Sequence, residues 1–222
     1  VAAITSTIPK PVSKTAHFGV SRIFKFMTPE RYNRLTNVLN HRQPDLTVVL
    51  ENVFDPHNVS AVMRTCYAVG LQDVYQLNDR IPPKKKWGYR SSSTASEWLN
   101  IHQFTDAENC FREVTKKYEK IYTTHLSEDS VEIYDLDLTA SIALVFGNET
   151  FGVSEDIRNY SNGNFIIPQV GIIKSLNISV ACAVTLYEAF RQKKKQGHYT
   201  KNRMAVADYN DLKKQWKLKD PN

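Results

Sequence analysis

Residues 46–70 read LTVVLENVFDPHNVSAVMRTCYAVG, and this stretch decides the fold. Leu46–Leu50 is a short apolar run, β-branched at its centre, with the length and composition of a buried strand. A polar junction, 51–57, follows and carries Pro56. From Asn58 to Val69 the apolar residues Val59, Val62, Met63 and Cys66 share one helical face, and Gly70 marks the stop. Asn58 reads as the N-cap of this helix.

The same alternation extends outward in both directions. Upstream, Thr28-Pro29 predicts a helix start, a capping residue followed by proline at the first helical position. That helix runs through Leu35, Val38 and Leu39 and stops before Pro44. Downstream, Asp73–Leu77 is a strand and Asn78–Ser96 a polar stretch. Asp106–Tyr118 is an amphipathic helix with Cys110, Phe111 and Val114 inward. Ile121–Thr124, Ile142–Phe146 and Phe165–Ile167 are strands, and Leu176–Gln192 is a long closing helix. This order predicts an α/β domain with a mainly parallel sheet flanked by helices. A short basic helix is expected over 204–217.

Composition narrows the class. The chain has 222 residues, enough for one ordinary core, and its apolar runs are too short to span a bilayer, so no membrane partner is expected. Cys66, Cys110 and Cys182 form no CxxC pair and the histidines are dispersed, so no metal site is expected and the cysteines read as small buried hydrophobes. The net charge of +6 is unevenly placed: residues 1–27 carry +4 and 191–222 carry +7, which leaves the body at −5. Basic ends on an acidic body suit either a polyanion such as RNA or a solvated tail. The organisation expected is a flexible basic leader over 1–27, a catalytic-type domain over 28–192 that includes the first helix, and a basic, partly helical extension over 193–222.

In an open parallel sheet, ligands bind beyond the carboxyl ends of the strands. No GxGxxG, GxxxxGK[ST] or GxSxG fingerprint occupies those junctions. Three others stand out. The first is 51–58 with Arg64 in the helix behind it; an arginine there needs an anionic partner, and phosphate or carboxylate would serve. The second, Gly147-Asn148-Glu149-Thr150-Phe151-Gly152, has two glycines that let backbone approach a ligand. Its Glu149 is placed to accept from a ligand amine or to hold Arg64 or Asn58. The third runs from Pro168 to Asn177, with Ser175 as the expected N-cap of the last helix and an apolar lining suited to a flat heterocycle.

Taken together, ENVFDPHNVSAVMRTCYAVG, VFGNETFG and IPQVGIIKSLNISVACAVTLYEAFRQ resemble, in this order, the three motifs of the SPOUT class of RNA 2′-O-methyltransferases, SpoU branch. The first motif with its preceding strand is similar to the TrmH-type tRNA (guanosine-18) group. The resemblance covers roughly 28–199. It implies a SPOUT fold with a C-terminal trefoil knot, S-adenosylmethionine as cofactor, tRNA as partner, a homodimer and a cytoplasmic enzyme. Carried over by position, it implies Asn58, Arg64, Glu149, Ser175 and Asn177 as catalytic residues, and Thr124, Leu126, Gly147, Ile167 and Leu176 around the cofactor. For RNA contact the expectation is Lys84, Lys85, Lys86, Arg90, Lys193, Lys194, Lys195, Lys201 and Arg203, with Tyr199 as a stacking ring. A ribosomal RNA methyltransferase and a non-catalytic RNA binder on the same fold are the competing readings.

Overall fold

The structure, a computed structural model, describes residues 27–81, 95–172 and 175–218. Helix α1 (Pro29–Asn40) starts where expected: the Thr28 hydroxyl accepts from the Arg31 amide at 3.2 Å. Strand β1 (Leu46–Glu51) is buried along its whole length and lies centrally. Helix α2 (Pro56–Ala68) buries Val59, Val62, Met63 and Cys66. At its end Gly70 adopts φ +92°, and a Cβ there would stand 2.7 Å from the His41 carbonyl oxygen, so glycine is needed on both counts.

Strands β2 (Asp73–Leu77), β3 (Asn100–Phe104) and β4 (Lys120–Thr124) follow, with helix α3 (Ala107–Lys117) between the last two. Then come β5 (Val131–Glu132), β6 (Ile142–Phe146), the single-turn helix α4 (Glu155–Arg158), β7 (Gly163–Ile166), α5 (Ile178–Lys195) and α6 (Val206–Gln215). The seven strands form one parallel sheet in the order β3-β2-β1-β6-β4-β7-β5. The α/β sheet expected from the alternation is therefore present. Strands β3 and β5 and helix α4 are additions to it.

Alternation of side chains along each strand sorts the core into two layers. Leu46, Val48, Leu50, Leu144 and Phe146 face α2 and α5, meeting Val62, Met63, Cys182 and Leu186. Val49, Tyr75, Val145 and Ile121 face α3 and α4, meeting Phe111, Val114 and Ile157. A third cluster joins the ends of the described chain: Leu35 and Leu39 of α1 pack with Leu212, Trp216 and Leu218 around α6. All three cysteines are free and buried, two of them in the α2/α5 layer. Because every strand is parallel, the loops that leave β1, β6, β4 and β7 share one edge of the sheet, side by side. No helix among the described residues is long and apolar enough to cross a membrane.

Candidate active site

The three junctions singled out in the sequence meet at that edge through direct side-chain bonds. The Asn58 amide donates to Glu149 Oε1 at 3.0 Å, and the Asn177 amide donates to Asn58 Oδ1 at 3.0 Å. The other carboxylate oxygen of Glu149 accepts from the Phe54 amide at 3.3 Å. Residues 91 and 119 positions apart are thus tied into one chain of polar contacts.

Two caps differ from the sequence reading, and the difference explains this chain of contacts. Asp55, not Asn58, caps α2, accepting from the His57 amide at 2.8 Å, with Pro56 next in line. Asn58 sits inside the first turn, so its side chain is released to bridge Glu149 and Asn177. Likewise Asn177, not Ser175, caps α5: its Oδ1 accepts from the amide of Ser179 at 2.9 Å and from its hydroxyl at 2.6 Å. Ser175 is exposed just ahead of the cap. Arg64 lies on α2 two turns beyond the cap, and its side chain is exposed.

The glycines of the second junction are also needed by the turn itself. A Cβ on Gly147 would lie 2.1 Å from the Gly152 carbonyl carbon, so its bareness is required by the turn itself. Asn148 and Gly152 exchange backbone hydrogen bonds at 3.0 and 2.8 Å, and Gly152 takes φ +68°. The Asn148 side chain ties the turn down, donating to the Asn52 carbonyl at 2.8 Å and accepting from the amides of Thr150 and Phe151. A tight, pinned turn holds Glu149 forward.

Thr124, Gly147 and Ile167 stand at the ends of the adjacent strands β4, β6 and β7, with Leu126 and Leu176 in the loops beyond. Thr124 Oγ1 donates to the Val145 carbonyl at 3.3 Å, which joins two of those ends. Leu126 is 71% exposed and Ile172 99%, and Val170 is equally open. Leaving such side chains in water forgoes roughly 1.5–3 kcal/mol each. An apolar collar around free strand ends fits an adenosyl group with its sulfonium tail, so the residues present suit S-adenosylmethionine.

The basic residues divide. Lys194, Lys195, Lys201 and Arg203 are exposed, with Lys194 Nζ 5.6 Å over the Phe190 ring and Arg203 on Asp45 at 2.9 Å. Lys193 overturns the expectation of RNA contact. It is fully buried, donates to the carbonyls of Thr139 and Ala140 at 3.1 and 2.9 Å, and pairs with Asp45 at 3.1 Å. Tyr199 is also engaged internally: its hydroxyl donates to the Val69 carbonyl at 2.7 Å and its ring meets Phe190 at 4.7 Å. Burial raises its pKa. Lys84, Lys85, Lys86 and Arg90 lie outside the described residues. No group of three or more His, Cys, Asp or Glu suited to a metal ion occurs among the described residues.

Comparison with known proteins follows the same outline. Residues 45–187 match the SpoU rRNA Methylase family. The chain is 38% identical over 191 residues to a Thermus thermophilus tRNA (guanosine(18)-2′-O)-methyltransferase, covering 85% of this chain and 96% of the relative. It is 35% identical over 175 residues to the Escherichia coli protein of the same name, 78% and 75% of the two lengths. The crystal structure of the Aquifex aeolicus TrmH/SpoU tRNA modifying enzyme superposes with a TM-score of 0.77 at 33% identity, covering 87% of this chain and 98% of that one. With three loops bound to one another at the carboxyl edge of a seven-stranded parallel sheet, and this similarity along nearly its whole length, the chain belongs to the SpoU methylase family.

Proposed function

We propose that this protein methylates the ribose 2′-hydroxyl of guanosine 18 in the D-loop of tRNA, using S-adenosylmethionine. The observation that carries the reading is the bonded chain Glu149–Asn58–Asn177, which brings all three family motifs to the strand ends. Relatives at 35–38% identity carry that activity in their names.

When bound, S-adenosylmethionine supplies an electrophilic methyl on a sulfonium. What this chain supplies is alignment and charge. Glu149, braced by Asn58 and the Phe54 amide, fixes the second loop beside the collar. Arg64 holds the phosphate next to the reacting ribose and stabilises the oxygen as its proton leaves. A guanidinium carries donors and no acceptor, so its role is electrostatic rather than that of a base. Ser175, exposed at the mouth, lies within the same segment as Asn177 and orients the ribose.

The working form is a homodimer in the cytoplasm, with Arg64 of one protomer beside the cofactor of the other. Support comes from α5, where Val180 and Tyr187 are exposed apolar side chains two turns apart, starting one turn after Asn177. Lys194, Lys195, Lys201 and Arg203 contact the tRNA backbone together with Lys84, Lys85, Lys86 and Arg90. The segment around the third junction threads the trefoil knot of the SPOUT class.

Methyl-labelled cofactor and unmodified tRNA test the reading: label maps to the ribose of nucleotide 18. Absence of label on any tRNA, with cofactor binding intact, overturns it, and label on ribosomal RNA alone redirects it. Arg64→Lys lowers kcat about 100-fold, because lysine cannot reproduce the planar fork. Near-normal turnover in that variant contradicts the assigned role.

A further inference from the structure

A cavity opens at the same edge, on the α3/α4 side of the Asn148–Gly152 turn. Its volume of about 670 Å³ lies in the range of small-molecule pockets. Glu51 lies at its base. Leu50 faces the α2/α5 layer, so its neighbour Glu51 points to the opposite face of the sheet. The residue is 2% exposed, and its Oε2 accepts from the Ser154 amide at 3.0 Å. Among the described residues that is the one hydrogen bond to its carboxylate, although a carboxylate has room for about four.

The walls of this cavity are braced. Asn52 takes a left-handed φ of 51°, unusual for a residue with a side chain. Its amide donates to Asp79 at 2.6 Å, its Oδ1 accepts from the Arg80 amide at 3.0 Å, and its carbonyl accepts from Asn148. Arg158 stands across the cavity with its guanidinium on His125 Nε2, and Phe151 presents an 83% exposed ring at the mouth. The carboxylate of Asp156 stays in water and pairs with Arg80 at 3.7 Å. Among the described residues that line the cavity, Glu51 is the one acid shielded from solvent, and a single backbone amide holds its carboxylate.

A buried carboxylate short of donors is costly to keep unless a ligand completes it. Guanine is the base whose N1–H and N2–H₂ lie side by side and match the two oxygens of a carboxylate. Its O6 and N7 match an arginine fork. Its flat ring stacks on an aromatic side chain. Glu149 and Phe151 are two residues apart, at most about 7 Å along the chain, so a nucleotide with its ribose at Glu149 reaches the cavity with its base.

We propose that this cavity reads the guanine of the target nucleotide: Glu51 accepts N1–H and N2–H₂, Arg158 donates to O6 and N7, and Phe151 covers the ring. The proposal rests on the methyl-transfer reading above and names how that site selects its base.

The test uses tRNA transcripts with guanosine or inosine at position 18; inosine lacks only the N2 amino group. Wild-type kcat/KM falls about tenfold or more from guanosine to inosine, whereas Glu51→Gln treats the two within about twofold. A wild type indifferent to the amino group, or a variant that keeps the full guanosine preference, overturns the proposal. Calorimetry with guanosine and inosine monophosphates separates this from the function itself. Should no guanosine 18 be methylated, preferential binding of guanosine monophosphate to wild type but not to Glu51→Gln still supports the cavity assignment, and equal binding rejects it. Phe151→Ala, an exposed position that leaves folding intact, weakens guanosine monophosphate binding several-fold. Undiminished binding in that variant overturns the covering role.

Discussion

The two edges of the sheet spend their charges differently. Where the strands begin, acids are buried or partly buried and matched with bases. Asp45 accepts Lys193 at 3.1 Å and Arg203 at 2.9 Å, with His198 at 3.6 Å. Asp73 takes Lys117 at 2.6 Å and His102 at 2.7 Å. Where the strands end, Glu149 holds amides rather than cations, Glu51 holds one backbone amide, and apolar side chains stand in water. One edge pairs its acids with cations of the same chain. The other keeps acceptors and apolar surface for something that arrives. Stability is concentrated at the first edge and chemistry at the second, and the two should respond separately to mutation.

Asp45→Ala is the strongest way to break that separation, because it leaves Lys193 buried without its counter-charge. The cost is about 3–5 kcal/mol, read as a fall in the urea midpoint, while methyl transfer per folded molecule is retained. A variant of normal stability would show that the first edge carries no such load.

At the second edge, Asn58→Ala cuts the link between Glu149 and Asn177. Methyl transfer is expected to fall about 100-fold, the scale set by small misplacements of reacting groups. Stability changes by no more than about 1 kcal/mol, since the bonds lost are solvent-exposed. A steady-state assay and a denaturation curve on one preparation check both halves.

The smallest effect is a titration at the first edge. Burial works to raise the Asp73 pKa, but the hydrogen bond from His102, the charge of Lys117 and the remaining contacts with both outweigh it and hold the group at about 2. The unfolded chain therefore binds the proton first as pH falls. Stability from this group is complete above about pH 4 and is lost on descending to about 2, some 2 kcal/mol in all. Asp73→Asn flattens that limb of the stability profile. Acid unfolding that is identical in the variant refutes the assignment.

Much of this was legible in the sequence. The β1–α2 stretch, the strand pattern and the Thr28-Pro29 helix start follow from local chemistry, and the structure reproduces them. The Asp55-Pro56 pair repeats the Thr28-Pro29 signal and would have corrected the cap of α2. Lys193 could also have been placed: it continues the buried stripe Cys182, Leu186, Ala189 at helical spacing. Strand β3, Asn100-Ile101-His102-Gln103-Phe104, was hidden because an edge strand needs little apolar patterning. Its hydrogen bonds to β2 define it. What no local pattern carries is the meeting of Asn58, Glu149 and Asn177, which depends on β1 lying beside β6 in the sheet.

The packing of α1 against α6 bears on how the protein is made. Leu35 and Leu39 leave the ribosome about 177 residues before Leu212 and Trp216, roughly 10–35 s at ordinary elongation rates. Until then the first helix lacks the cover that α6 gives it, and a nascent chain stalled short of Leu212 displays part of its greasy face to chaperones and proteases.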